Sequence, residues 1–169
     1  MKSPILIAYD FGPASEAALA WSAKMSLALG APLVVVHVLV PTSADIVPAL
    51  LLSGYPTQVD VAATRASLTA AAVRYGVTAT SEVAVHPNVG GALIERARHL
   101  GAGLIVMGTH GHGALVRAML GSAATYAIQH ADCPVVVMRD TSAQQQMVHE
   151  GRRSQQDASG EESFEARDG

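Results

Sequence analysis

Residues 104–113 read LIVMGTHGHG, an apolar run that opens into closely spaced glycines. Two residues separate Gly108 from Gly111, and nine separate Gly111 from Gly121, which Ser122 follows. A short apolar run of this kind is typical of a strand that is buried on both faces. Glycines let a backbone approach a ligand closely, and a helix start offers unpaired N–H groups and a positive dipole end. The stretch therefore predicts a buried strand followed by a phosphate-binding loop.

Strand and helix patterns alternate along the rest of the chain. Strands are predicted over residues 5–9, 33–39, 78–85, 104–107 and 134–138, and helices over 13–28, 59–75, 89–100 and 121–131. Such alternation indicates a parallel α/β sheet with right-handed crossovers. Half of the residues are hydrophobic and 4% are aromatic, which suits a core of Ala, Val, Leu and Ile in one domain.

Two segments depart from this pattern. Residues 41–56 combine prolines and a glycine with leucines, which predicts a short helical turn or a mobile flap. Its leucines could pack on the body of the domain, on a second subunit or over a ligand. Residues 140–169 are polar, with three basic and seven acidic residues, and are predicted to be a disordered tail. The folded domain is therefore expected over residues 1–139, with eight basic and seven acidic residues and no basic patch for nucleic acid.

The composition also excludes several functional classes. Lys2 and Lys24 are the two lysines, and neither follows a glycine loop, so a Walker A loop is absent. No Gly-x-Gly-x-x-Gly follows the first strand, which disfavours an NAD site. A single cysteine, Cys133, excludes an internal disulfide. The first apolar run is too short for a signal peptide or a membrane span, so we expect a cytoplasmic protein with no membrane contact.

Several residues admit a structural interpretation beside the functional one. Asp10 follows the first predicted strand and could cap a helix, and a glycine pair alone could make a turn. His110 and His112 stand two residues apart. They could be a pair of metal ligands or, alternatively, loop residues close to the phosphates of a bound ligand. His37 lies inside an apolar strand and is interpreted as a core histidine with its hydrogen bonds satisfied.

Three further stretches complete a family pattern. Residues 5–10 read ILIAYD, residues 36–38 read VHV and residues 131–137 read ADCPVVV. With the spacing G-x2-G-x9-G-S, they resemble the ATP-binding subgroup of the universal stress protein family over residues 3–139. The resemblance implies an adenine nucleotide alpha hydrolase-like fold: an open parallel five-stranded sheet of order 3-2-1-4-5 with helices on both faces. It also implies a homodimer through the last strand, at Val135, Val136 and Val137.

The resemblance implies a site for ATP between the first and fourth strands. The implied binding residues are Ala8, Asp10, Val38, Met107, Gly108, His110, Gly111, Gly113, Gly121, Ser122 and Ala123. In this site Val38 would meet adenine through its backbone, and Asp10 would accept from the ribose or help to hold Mg²⁺. The family's usual Asp-Gly-Ser is replaced here by Asp10-Phe11-Gly12, a departure in the first turn of the site.

The function expected from these residues is regulatory nucleotide binding in a stress response. Without a lysine or a general base near the phosphates, fast phosphoryl transfer is disfavoured. We therefore expect slow ATP hydrolysis or self-phosphorylation at most, and no catalytic residue is assigned. Two alternatives remain: a dimeric protein-interaction module in which nucleotide is incidental, and an enzyme acting on phosphate esters.

Overall fold

A five-stranded parallel sheet forms the centre of the computed structural model, which describes residues 2–41, 58–109 and 120–140. The strands are β1 (Ile5–Ala8), β2 (Leu33–Leu39), β3 (Ala79–Val85), β4 (Leu104–Gly108) and β5 (Val135–Met138). They lie in the order β3-β2-β1-β4-β5, and every neighbouring pair is parallel. The predicted fold class and strand order are therefore confirmed.

Four helices of the described residues pack on this sheet: α1 (Pro13–Leu29), α2 (Gln58–Val73), α3 (Val89–Leu100) and α4 (Ser122–His130). Pro13 begins α1 because its fixed φ suits a first helical turn. Asn88 caps α3 by accepting a hydrogen bond from the N–H of Gly91. Gly30 and Gly101 end α1 and α3 in the left-handed conformation, with φ of 59° and 60°.

The helices cover both faces of the sheet. Because successive side chains of a strand point to opposite faces, Leu6 and Ile7 of β1 enter different core clusters. On one face, α1 and α2 pack through residues such as Leu19 and Leu68. On the other face, α3 and α4 form the second cluster, which includes Leu93. The sheet is thereby shielded except at its edges and strand ends.

Cys133 packs at the border of the second cluster, as a partly buried side chain. Burial, assisted by the charge of Asp132, raises the pKa of its thiol. Among the helices of the described residues, none combines the length and hydrophobicity needed to cross a membrane. The predicted flap after residue 41 and the predicted tail after residue 140 lie outside the described residues.

Candidate functional site

A cavity of about 800 Å³ opens at the carboxyl ends of the strands, where β1 and β4 lie side by side. The chain crosses from β1 to β2 on one side and reaches β4 on the other, so this pair is the topological switch point of the sheet. Open α/β sheets bind ligands at such a point. Ala8 and Met107, which pair across the two strands, both line the cavity, together with the starts of α3 and α4.

The structure brings most of the predicted site residues together. Eight of them line this one cavity: Ala8, Asp10, Val38, Met107, Gly108, Gly121, Ser122 and Ala123. The other three, His110, Gly111 and Gly113, lie outside the described residues. Residues that are far apart in sequence therefore meet at the edge where the sequence predicted a site.

Asp10 is held in a tight turn directly after β1. Its Oδ1 accepts a hydrogen bond from the N–H of Gly12 at 2.9 Å, and its own N–H donates to the Ser15 hydroxyl at 3.3 Å. The Ser15 hydroxyl in turn donates to the Gly12 carbonyl at 2.9 Å. This arrangement is an Asx turn closed by the first turn of α1, so the carboxylate stands at the cavity wall with a defined direction.

Phe11 shows how the unusual first turn is accommodated. Its φ is 65°, the left-handed conformation that a glycine would adopt without steric cost. The ring packs edge-on against Tyr9, with 5.0 Å between ring centroids, and against His37 at 5.2 Å. The turn thus keeps a glycine-like backbone while carrying an aromatic side chain.

Gly108 ends β4 and serves packing as well as the cavity. A Cβ atom at this position would lie 3.0 Å from the Ala14 Cβ and 3.1 Å from the backbone nitrogen of Ser15. Real Cβ atoms rarely come so close to backbone, so any larger residue would push β4 away from the start of α1. From the sequence this glycine was predicted to allow close approach of a ligand, and the structure adds the close packing of α1.

The start of α4 faces the cavity with its first N–H groups uncapped by a side chain. Gly121 is the N-cap residue, in extended conformation, and makes no side-chain cap hydrogen bond. Its own N–H donates to the Thr109 carbonyl at 2.8 Å, which ties the helix start to the end of β4. Ser122 is exposed at the first helical position. A helix start of this kind attracts anions.

The opposite wall is formed by the start of α3 and was not predicted from the sequence. Asn88, Val89 and Gly90 line the cavity there, and Tyr126 of α4 lies beside them. A Cβ atom at Gly90 would lie only 2.7 Å from the Tyr126 Cβ, so this glycine permits the two helices to meet. A Gly-Gly pair in the first turn of a predicted helix was the available signal, because glycine is otherwise unfavourable there.

A polar network next to Asp10 joins Tyr9, the residue after β1, to α1 and to the two residues that follow α2. Glu16 accepts hydrogen bonds from the Tyr9 hydroxyl, from Tyr75 at 2.6 Å and from Arg74 at 2.7 Å. Burial, and then the hydrogen bond to Glu16, raises the pKa of Tyr9 to about 12. Burial opposes ionisation of Glu16, but the two phenols and the Arg74 charge outweigh it and lower the pKa of this carboxyl.

The charges of the cavity are few. The lining that the structure describes carries the Asp10 carboxylate and no lysine or arginine side chain. Phosphate groups bound there would be met by backbone N–H groups and by hydroxyls such as those of Thr109 and Ser122. Within residues 2–41, 58–109 and 120–140, no three His, Cys, Asp or Glu side chains could hold a metal ion together. The alternative metal pair, His110 and His112, lies outside these ranges.

Comparison with known proteins decides the family. A model described as the universal stress protein family matches residues 1–139. The chain belongs to the universal stress protein family. The predicted family resemblance is therefore confirmed, and the cavity lies within the matched residues.

A curated relative agrees with the family assignment. A universal stress protein of Mycolicibacterium smegmatis is 29% identical over 155 residues, which cover 88% of this chain and 51% of that protein. The chain therefore spans about half the length of this curated relative.

Two solved structures share the fold. A universal stress protein from Archaeoglobus fulgidus in complex with dAMP is 22% identical, with a TM-score of 0.58 over 80% of this chain and 97% of that chain. A universal stress protein in complex with cAMP is 18% identical, with a TM-score of 0.60 over 82% and 98% of the two chains.

Proposed function

We propose that the cavity binds an adenine nucleotide, that ATP is its natural ligand, and that the bound nucleotide regulates the protein. The observation that carries the proposal is the meeting of the Asp10 turn and the uncapped start of α4 in one cavity at the switch point. Helix starts bind phosphate through unpaired N–H groups, and a carboxylate accepts hydrogen bonds from ribose hydroxyls. Two solved relatives of the same fold are complexes with dAMP and with cAMP.

The two ends of the nucleotide would lie at different walls of the cavity. In the proposal, Ala8, Val38 and Met107 hold the nucleoside at the strand ends, and Asp10 contacts the ribose or a Mg²⁺ ion bound to phosphate oxygens. The remaining proposed residues hold the phosphates through backbone N–H groups or side chains: Gly108, His110, Gly111, Gly113, Gly121, Ser122 and Ala123. Asp10 suits Mg²⁺ because an ionised carboxylate can accept from Gly12 and still coordinate a hard cation.

Regulation is proposed rather than fast turnover because the described lining lacks the groups that phosphoryl transfer needs. It carries no lysine or arginine to stabilise a transferring phosphoryl group. We therefore infer slow hydrolysis or self-phosphorylation at most. The proposed setting is the cytoplasmic response to stress, with residues 1–139 as the working domain.

Isothermal titration calorimetry with ATP, ADP and AMP, each with and without Mg²⁺, tests the proposal. The wild-type chain should bind ATP. Gly121→Leu should abolish binding, because a leucine at the N-cap position blocks the helix start. The fold of this variant should stay intact, as a cooperative melting transition would show. Ser67→Leu is the matched control, since it adds the same side chain to an exposed position of α2 outside the cavity. Undiminished ATP affinity in Gly121→Leu would refute the site, and a wild-type chain that binds none of the nucleotides would favour the protein-interaction alternative.

We further propose that two copies of the chain pair through β5, at Val135, Val136 and Val137. β5 is an edge strand whose neighbour in the sheet is β4. The N–H groups of Ile105 and Thr109 donate to the carbonyls of Pro134 and Met138. The carbonyls of the even-numbered residues from 134 to 138 therefore face β4. Backbone groups alternate along a strand, so those of Val135 and Val137 are directed to the open edge.

Light scattering coupled to size-exclusion chromatography tests this pairing. The wild-type chain should elute as a dimer, and Val137→Pro should elute as a folded monomer because proline removes an N–H on the open edge. Val137→Ala keeps that N–H and should remain a dimer. A monomeric wild-type chain, or a dimer of unchanged stability in Val137→Pro, would contradict the proposal.

A further inference from the structure

His37 interrupts the apolar run of β2 and is one of the residues that line the cavity, as is Asp10. Its Nδ1 lies 2.7 Å from the carbonyl oxygen of Tyr9, the residue before Asp10. A carbonyl oxygen can only accept a hydrogen bond, so Nδ1 donates and carries the ring proton. The interpretation of His37 as a core histidine explains why this nitrogen has a partner, but not why the partner is the carbonyl of the residue before Asp10.

This hydrogen bond holds the backbone at the point where it leaves the sheet. β1 pairs with β2 as far as Ala8 and Val36, so the Tyr9 carbonyl lies beyond the last residue pair. The N–H of Asp10 belongs to the same peptide group and donates to the Ser15 hydroxyl. Because a peptide group is planar, contacts on its two sides fix its orientation, and with it the direction of the Asp10 side chain.

Phe11 links the imidazole to the turn a second time. Its left-handed backbone is unfavourable for a residue with a side chain and persists where surrounding contacts hold it. The rings of His37 and Tyr9 supply such contacts, at centroid distances of 5.2 Å and 5.0 Å. His37 therefore supports the turn through both a hydrogen bond and a ring contact.

We propose that His37 is a positioning residue that directs the Asp10 carboxylate towards the bound ligand. The proposal rests on the proposed function for the identity of that ligand, an adenine nucleotide. His37 acts through the Tyr9–Asp10 peptide group and the Phe11 ring, so its removal weakens nucleotide binding only while Asp10 is present. A histidine that merely fills space would change the stability of the fold without any coupling to Asp10.

Amide hydrogen exchange on the ligand-free protein tests the positioning role directly. The reporter is the N–H of Gly12, which donates to Asp10 Oδ1. His37→Leu should accelerate its exchange about tenfold, the loss expected for one hydrogen bond of about 1.4 kcal/mol. His37→Asn places an amide donor near the position of Nδ1 and should keep the exchange close to the wild-type rate. Unchanged exchange in His37→Leu, or equal acceleration in both variants, would overturn the proposal.

A double-mutant cycle on ATP affinity supplies the second test. His37→Leu should weaken ATP binding about tenfold in the wild-type background and cause no further loss in an Asp10→Ala background. His37→Asn should restore most of the affinity, with melting temperatures recorded for every variant. Additive losses would overturn the proposal. If the wild-type chain binds no ATP, the proposed function fails, and the exchange experiment alone decides the role of His37.

Discussion

Replacing Gly90 by alanine probes the contact between α3 and α4 at the cavity wall. The new Cβ would lie 2.7 Å from the Tyr126 Cβ and 3.0 Å from two atoms of its ring. Carbon atoms in favourable contact are about 3.5–4.0 Å apart, so the two helices must separate by about 1 Å. The Tyr126 Cβ is fixed to its backbone and cannot rotate away. Overpacking of this kind costs about 1–3 kcal/mol.

The neighbouring Gly91 provides a matched control. A Cβ there would meet Asn88 at 3.4 Å, which is ordinary contact, and would keep the capping hydrogen bond to the Gly91 N–H. Both variants gain up to about 1 kcal/mol from the helix propensity of alanine, so their difference isolates the clash. Gly91→Ala should therefore exceed Gly90→Ala in unfolding free energy by about 1–3 kcal/mol.

Urea denaturation followed by circular dichroism measures this difference, and the melting temperatures should differ by at least about 2 °C. Equal stability of the two variants would refute the close packing of α3 on α4. The same pair should differ in ATP affinity, with the weaker binding in Gly90→Ala, because Gly90 lines the cavity and Gly91 does not.

Three further predictions concern stability. Among the described residues, Ser22 is fully buried and its side-chain hydroxyl has no hydrogen-bond partner. Ser22→Ala should therefore raise the free energy of unfolding, measured by urea denaturation, by about 1 kcal/mol. Ser26, one turn later on α1, donates to the Ala31 carbonyl at 2.7 Å, and Ser26→Ala should instead be destabilising; the same sign for both would contradict the argument. The pKa of Tyr9 is raised from 10.0 to about 12, so its neutral phenol stabilises the fold below pH 10, and this contribution disappears as the pH rises to 12. The wild-type chain should therefore lose about 2 kcal/mol more than Tyr9→Phe over that range, and parallel curves would refute this. Gly108→Ala should destabilise the ligand-free protein by about 1–3 kcal/mol because the new Cβ meets the start of α1. An unchanged melting temperature would show that packing against α1 does not require a glycine here.

The sequence predicted the sheet well because β1, β2, β4 and β5 are mostly apolar runs with glycine, proline or polar residues close to their ends, and β3 alternates in part between apolar and polar residues. β2 and α3 have the predicted bounds, whereas β1 ends one residue early, at Ala8. The reason is the Asp10 turn, in which the Tyr9 carbonyl bonds to the His37 side chain instead of continuing the strand ladder. No local pattern encodes that contact, because its partners are 28 residues apart.

The candidate site was predictable where a motif or a strand end marks it, as at Asp10, Gly108 and Gly121. The wall formed by the start of α3 was missed, because Asn88 and Gly90 join the site through tertiary packing and not through the glycine signature. The left-handed Phe11 was also beyond sequence reasoning. Propensity disfavours a positive φ for phenylalanine, and only the surrounding rings show how it is held.

Nuclear magnetic resonance on the ¹⁵N-labelled chain, titrated with ATP and Mg²⁺, tests the central claim most directly. If the cavity binds the nucleotide, the amide signals of Asp10, Val38, Gly121 and Ser122 should shift together with a single dissociation constant. Amides on the exposed side of α2, such as that of Ser67, should keep their positions. Shifts confined to other surfaces, or none at millimolar ATP, would contradict nucleotide binding in this cavity.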